Sequence, residues 1–429
     1  HTHTHTHTHQ PNPPTLQFLL VPKYGIFTLL FVVCGILPIA VHFADLDTSI
    51  TFDLMLPSKA DSLVTFEEME TKFGAGTLSP YKILFDGRAA NVDIGSEEAF
   101  DAYNLVLESL VGQVGTPTSS SFTGISTLGG EPVPIESYRL AMECVNFPSV
   151  PRCSDDDVKS LLLIASQFNS AIEPATYMNV ILAVDPFSEE GTTWLTDSRT
   201  KIEDLQNADV LSGFDVWISD GAGVEWDAVQ EVYDVFPFMI VCTLLVVFAL
   251  MGFFFKSIVV PLRSVFSILL TLGFVFGLTV LVYQDGAFSF MNLDCVGKTG
   301  TISWLPPVMT FSIIVGLGLD YDVFLISRIL EFREDGYDDD GSVLKGLYKT
   351  GGIITAAGII MAVAFSGLLM SGELLLNQTA FILVAAVLID TFVVRTILVP
   401  TMMGLVSKLI GTKYSWYPRQ FKGDGRSIE

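Results

Sequence analysis

Residues 304–334 read WLPPVMTFSIIVGLGLDYDVFLISRILEFRE. From Trp304 to Ile326 this run is as apolar as a helix must be over the ~20 residues needed to cross ~30 Å of hydrocarbon. Inside it stand two acids, Asp320 and Asp322, with Tyr321 between them. An acid at the centre of such a helix costs roughly 2.5–3.5 kcal/mol on insertion scales, so an intramembrane acid is read first as a working residue. Gly316 and Gly318 precede it without a strand before them or a third glycine after them. They are therefore read as helix-packing positions and not as a nucleotide loop.

Five more stretches of the same length and character flank this one: Tyr24 to His42, Phe236 to Phe255, Val259 to Val282, Ile353 to Met370 and Phe381 to Leu405. With half of the 429 residues hydrophobic and a mean hydropathy of +0.51, the composition is that of a multi-pass α-helical membrane protein. One span (16–44) stands alone, a long polar region (45–230) follows, and five closely spaced spans (231–409) lead to a short tail (410–429). The opening HTHTHTHTHQ holds five of the six histidines. Residues 1–15 are set aside as a tag-like or low-complexity tail, and without an initial Met the chain is expected to start within a longer protein.

Lys23, Lys256, Arg263, Arg328, Arg333, Lys345, Lys349, Lys408 and Lys413 all fall on one side if the six spans alternate, which puts both termini in the cytoplasm. The polar region then lies outside the cell or in a lumen, of a plasma membrane or an endomembrane. Acids outnumber bases there by about three to one. With a net charge of -24 this disfavours nucleic acid as a partner. Cys144 and Cys153 bracket the short loop CVNFPSVPRC and are expected to form a disulfide on that side.

Within the polar region, YKILF, MNVILAVD and FDVWIS read as strands, and the segments after Gly95, Ser154 and Ser188 as helices, with Ser96 and Ser154 as N-caps. A weak strand near Ser121 to Leu128 completes an α+β, split βαβ, ferredoxin-like order. The helix starting near Val224 meets no breaker before the second span and is expected to carry domain motion into the membrane.

Desolvation disfavours a charged carboxylate, and a hydroxyl such as that of Tyr321 from another helix hydrogen-bonds either protonation state. Such a pair can take a proton from one side and release it to the other. A 100 mV potential supplies about 2.3 kcal/mol per charge moved. Asp322, on the opposite side of the helix from Asp320, is read as snorkelling or pairing with Arg328. Arg395 is read as snorkelling or pairing with Asp390, and that pair either relays protons or braces helices. The small-residue face around Gly358 is expected to pack against the fourth span.

GLGLDYDVFLISRILEFRE resembles the segment of the resistance-nodulation-division superfamily, and its MMPL branch in particular, where Gly-hydrophobic-Gly precedes Asp-Tyr, then Phe-Leu, then Ser-Arg and an acid. The run from Leu54 to Phe85 resembles the start of that family's porter domain, and Thr350 to Phe365 and Val387 to Met403 resemble its last two spans. The resemblance implies that Asp320 and Tyr321 form a proton relay. Asp322, Ser327, Arg328, Asp390 and Arg395 would be supporting intramembrane polar residues, and a porter domain would handle lipid-like cargo. Full-length relatives carry two halves whose Asp-Tyr pairs meet across a pseudo-twofold. The expected partners are thus a second half or a second copy (a dimer or a higher oligomer), protons and membrane lipids. A sterol- or lipid-sensing receptor like Patched and the Niemann-Pick proteins is the alternative, and an accessory subunit of a protein-translocation machine the third choice. No zinc, nucleotide or nucleophile motif appears, so no cofactor, no metal and no enzymatic activity are expected.

Overall fold

The computed structural model describes residues 22–50, 60–112, 118, 121–146, 163, 166–170 and 174–409. They form two compact units: Lys59–Tyr233 makes up nearly all of one, and the stretch from Asp234 onward most of the other, together with the first span.

The smaller unit begins with helix α1 (Asp61–Phe73) and strand β1 (Tyr81–Asp86), followed by α2 (Glu97–Leu110). Three two-residue strands come next, β2 (Phe122–Thr123), β3 (Thr127–Leu128) and β4 (Glu131–Pro132), and then α3 (Ile135–Asn146). It ends with β5 (Ala175–Val180), α4 (Glu189–Asn207) and β6 (Asp215–Asp220). The sheet order is β4-β3-β2-β5-β1-β6, antiparallel at every pairing.

Alternation of buried and open positions explains why these strands form one sheet. Ile83 of β1 lies opposite Met178 on one side and Ile218 on the other, and all three are buried. That row faces the apolar sides of α2 (Phe100, Tyr103, Val106) and α4 (Trp194, Leu195, Ile202), all buried. Tyr81 packs on Trp194 at 5.2 Å between ring centres. Ser96 caps α2 by accepting from the Ala99 amide at 3.1 Å, and Ser188 caps α4 by accepting from Gly191. Strand β5 begins three residues before the MNVILAVD run and stops at Val180. Cys144 is buried and disulfide-bonded. Cys153 and most of the helix expected after Ser154 lie outside the described residues; Leu163, Ser166, Gln167 and Phe168, within that expected helix, are helical.

Six helices are long and apolar enough to cross a bilayer, and apart from the first turns of span 2 they belong to the larger unit: span 1 (Tyr24–Asp45), span 2 (Gly223–Phe255), span 3 (Val259–Gln284), span 4 (Leu305–Glu334), span 5 (Asp339–Met370) and span 6 (Leu374–Val406). They extend past the apolar runs because polar turns continue the helices at their ends, and span 2 is unbroken from Gly223 although Pro237 lies within it. Two contacts show where glycine is required. A methyl added to Gly277 would lie 1.9 Å from the Ile39 carbonyl oxygen, so span 3 touches the backbone of span 1. One added to Gly358 would lie 2.3 Å from Thr391 Oγ1, so this glycine of span 5 packs tightly on span 6. Gly316 has nothing within 4 Å of its added methyl, and Gly318 meets only Ile268 Cγ1 at 3.5 Å. Neither is a tight packing point within this chain.

Candidate functional site

Four charged side chains come together inside the helical bundle. Arg263 of span 3, Asp322 of span 4 and Arg395 of span 6 are only 4%, 3% and 2% exposed. Arg395 Nη1 donates to Asp322 Oδ1 at 2.8 Å, and Arg395 Nε donates to Asp390 Oδ2, also at 2.8 Å. Arg395 Nη2 donates to the Gly318 carbonyl. From the other side Arg263 Nη2 donates to Asp322 Oδ2 at 3.1 Å and to Ser264 Oγ. Two guanidinium groups thus face two carboxylates, with Asp322 as the hub joining three spans.

Local backbone makes the Asp390–Arg395 contact available. Residues five apart on an α-helix point about 140° away from each other. Asp390–Leu398 is instead a π-helical segment, whose wider turn aligns residues i and i+5. Thr396 Oγ1 follows the same spacing, donating to the Thr391 carbonyl at 3.0 Å. Apolar flanks hold the segment inside the bundle, with Val394 and Leu398 buried on either side of Arg395.

Tyr321 is half-buried. Its hydroxyl donates to Met361 Sδ at 3.0 Å, and its ring lies 5.0 Å from the Arg395 guanidinium. With Thr271, Gly318 and Asp390 it borders a cavity of about 20 Å³, room for one water molecule. Asp320, by contrast, is exposed on this chain. Its place inside an apolar run pointed to the interior, but residues two apart on a helix face nearly opposite ways, and Asp322 takes the interior position. Asp322 therefore does not pair with Arg328; Arg328 bonds Glu331 on the bundle surface, and Ser327 Oγ donates back to the Val323 carbonyl.

Arg263 was missed from the sequence because it fell among the boundary charges. A signal was present: Arg263, Ser267 and Thr271 recur every four residues in a largely apolar helix, and all are buried. Among the described residues, no three or more His, Cys, Asp or Glu side chains cluster as a metal site.

The trehalose monomycolate exporter MmpL3 of Mycobacterium tuberculosis (strain CDC 1551 / Oshkosh) is 33% identical over 224 residues, 52% of this chain and 23% of that protein. The membrane protein YdfJ of Bacillus subtilis (strain 168) is 31% identical over 223 residues, 52% of this chain and 30% of its own length. The probable transport protein MmpL10 of Mycobacterium leprae (strain TN) is 31% identical over 243 residues, 56% of this chain and 20% of its own. The matched stretch thus spans less than a third of each of these relatives. The model of the MMPL family matches residues 54–422, most of the chain, and this multi-pass α-helical membrane protein belongs to that family.

Proposed function

We propose that the chain is one half of a proton-driven MMPL transporter that moves lipids or other amphiphiles, with Asp320 and Tyr321 as its proton relay. The observation that carries this reading is a face of span 4. Ser312, Asp320, Val323 and Ser327 recur there at helical spacing, all exposed, and Gly316 on the same face has open space beside it. An acid left facing lipid is costly. A second half, or a second copy of the chain, covers it and brings a hydroxyl to Asp320 and an acid to Tyr321.

In this reading the Arg263–Asp322–Arg395–Asp390 cluster behind the pair braces spans 3, 4 and 6. The unit containing β1 to β6 is a porter domain of split βαβ type, supported by its strand order, and it lies outside or in a lumen with both termini cytoplasmic. One relative's name, trehalose monomycolate exporter, supports a lipid cargo. The printed names of two relatives, an exporter and a probable transport protein, support transport as the activity.

The test is uptake of a fluorescent lipid by liposomes holding the protein, with its second half where one exists, under an imposed pH gradient. Gradient-dependent uptake that Asp320→Asn abolishes supports the proposal. Binding without gradient-dependent movement would favour a lipid-sensing receptor.

A further inference from the structure

The charge cluster leaves donors unused. Arg263 Nε and Nη1 are buried and meet no acceptor among the described residues, and the same holds for Ser267 Oγ one turn further along span 3. A buried guanidinium that makes only part of its hydrogen bonds is unfavourable, since each unmet donor keeps its desolvation cost. Native proteins meet that cost with ordered water wherever a polar wall and enough room coincide.

The room is present here, and the Arg263 guanidinium is the polar part of an otherwise apolar wall. A cavity of about 10 Å³ is lined by Arg263 together with Val259, Val260, Met402, Met403 and Val406. That is about the space one water molecule needs. Its inner wall is the buried guanidinium and the buried Val260 and Met403, while Val259, Met402 and Val406 at its rim are only partly buried. The cavity therefore lies between the start of span 3 and the end of span 6, with the guanidinium that bonds Asp322 at its inner wall. The cavity bordered by Thr271, Tyr321 and Asp390 meets the same cluster at Asp390 and shares no lining residue with this one.

We propose that Arg263 binds the innermost water of a short inlet, entering between the start of span 3 and the end of span 6, which hydrates the buried Asp322 cluster from that end of the bundle. A water held there accepts a hydrogen bond from the guanidinium and donates to further water at the rim. It gives protons a route to the cluster that does not pass Asp320. This use of the inlet rests on the proton-driven reading above; the hydration itself does not.

X-ray radiolytic footprinting of the full chain in lipid nanodiscs tests the hydration, because hydroxyl radicals formed from bound water oxidise the methionines beside it. Met403 (3% exposed) and Met251 (4% exposed) belong to the same apolar core, but only Met403 lines the cavity beside Arg263. Equal burial makes Met251 the internal control. We expect Met403 to oxidise several-fold faster than Met251 in the unaltered protein, and Arg263→Met to lower the Met403 rate to that of Met251. A Met403 rate no higher than that of Met251 in the unaltered protein overturns the proposal, whether or not the variant folds. The readout contains no transport, so failure of the lipid-uptake experiment and failure of this one are separate results.

Discussion

Arg395 reaches across 73 positions of sequence to donate to Asp322 at 2.8 Å, while the same guanidinium holds Asp390 five residues behind it. One side chain thus ties the wide turn of span 6 to the middle of span 4. Burying these charges is tolerable because each carboxylate faces a guanidinium, and removing one partner strands the other.

Asp322→Asn is therefore expected to leave two buried guanidinium groups facing one carboxylate and to destabilise the bundle by roughly 3–5 kcal/mol. Asp320→Asn, on the exposed face, is expected to change stability little. Thermal unfolding of the two variants in the same detergent checks the contrast. The double variant Asp322→Asn/Arg263→Gln should be less damaged than the sum of its single changes, since both act on one ion pair.

Gly358→Val places side-chain atoms where Thr391 already stands, and it is expected to cost about 1–3 kcal/mol through displacement of the π-helical segment. Gly316→Ala meets open space in this chain. If a partner covers that face, Gly316→Ala weakens assembly without lowering the stability of the single chain, which analytical ultracentrifugation and unfolding measured side by side will show.

How much of this was legible in the sequence differs by element. Six apolar runs each appear as a helix because an uninterrupted length of apolar residues is a one-dimensional signal. Tyr81–Asp86 was legible as a strand through its aromatic and β-branched content, and Ser96 as a cap through the acids that follow it. The Asp322 hub was not legible. Which of two acids faces inward depends on helix rotation, and that is set by neighbours such as Arg263 and Arg395 that lie far away in sequence. The π-helical segment was equally hidden, since the spacing from Asp390 to Arg395 points the two apart on the α-helix that the composition suggests.

The porter-like unit offers a pH test outside the membrane. Arg88 grips the buried Asp86 carboxylate, with Nε to Oδ1 at 3.0 Å and Nη2 to Oδ2 at 2.6 Å, and holds it below the usual carboxylate range. Because the folded group loses its proton more readily than the unfolded one, its contribution is full above the ordinary Asp value of about 3.9 and disappears as pH falls through the lowered folded value. Arg88→Gln should thus unfold at lower temperature than the unaltered protein near neutral pH. The gap should close on acidification and show no closure toward alkaline pH.

Cys144 is disulfide-bonded, and Cys153 is its expected partner. Peptide mapping without reduction should recover a peptide pair linking Cys144 and Cys153. A link from Cys144 to any other cysteine contradicts that pairing.

The central claim is that Asp320 carries protons in exchange for lipid. Its most direct test is the proton movement itself: the internal pH of liposomes followed with a trapped dye when lipid cargo is added, for the unaltered protein, Asp320→Asn and Tyr321→Phe. The account predicts a cargo-triggered proton flux that Asp320→Asn eliminates and Tyr321→Phe reduces. A flux of unchanged size in Asp320→Asn would contradict it.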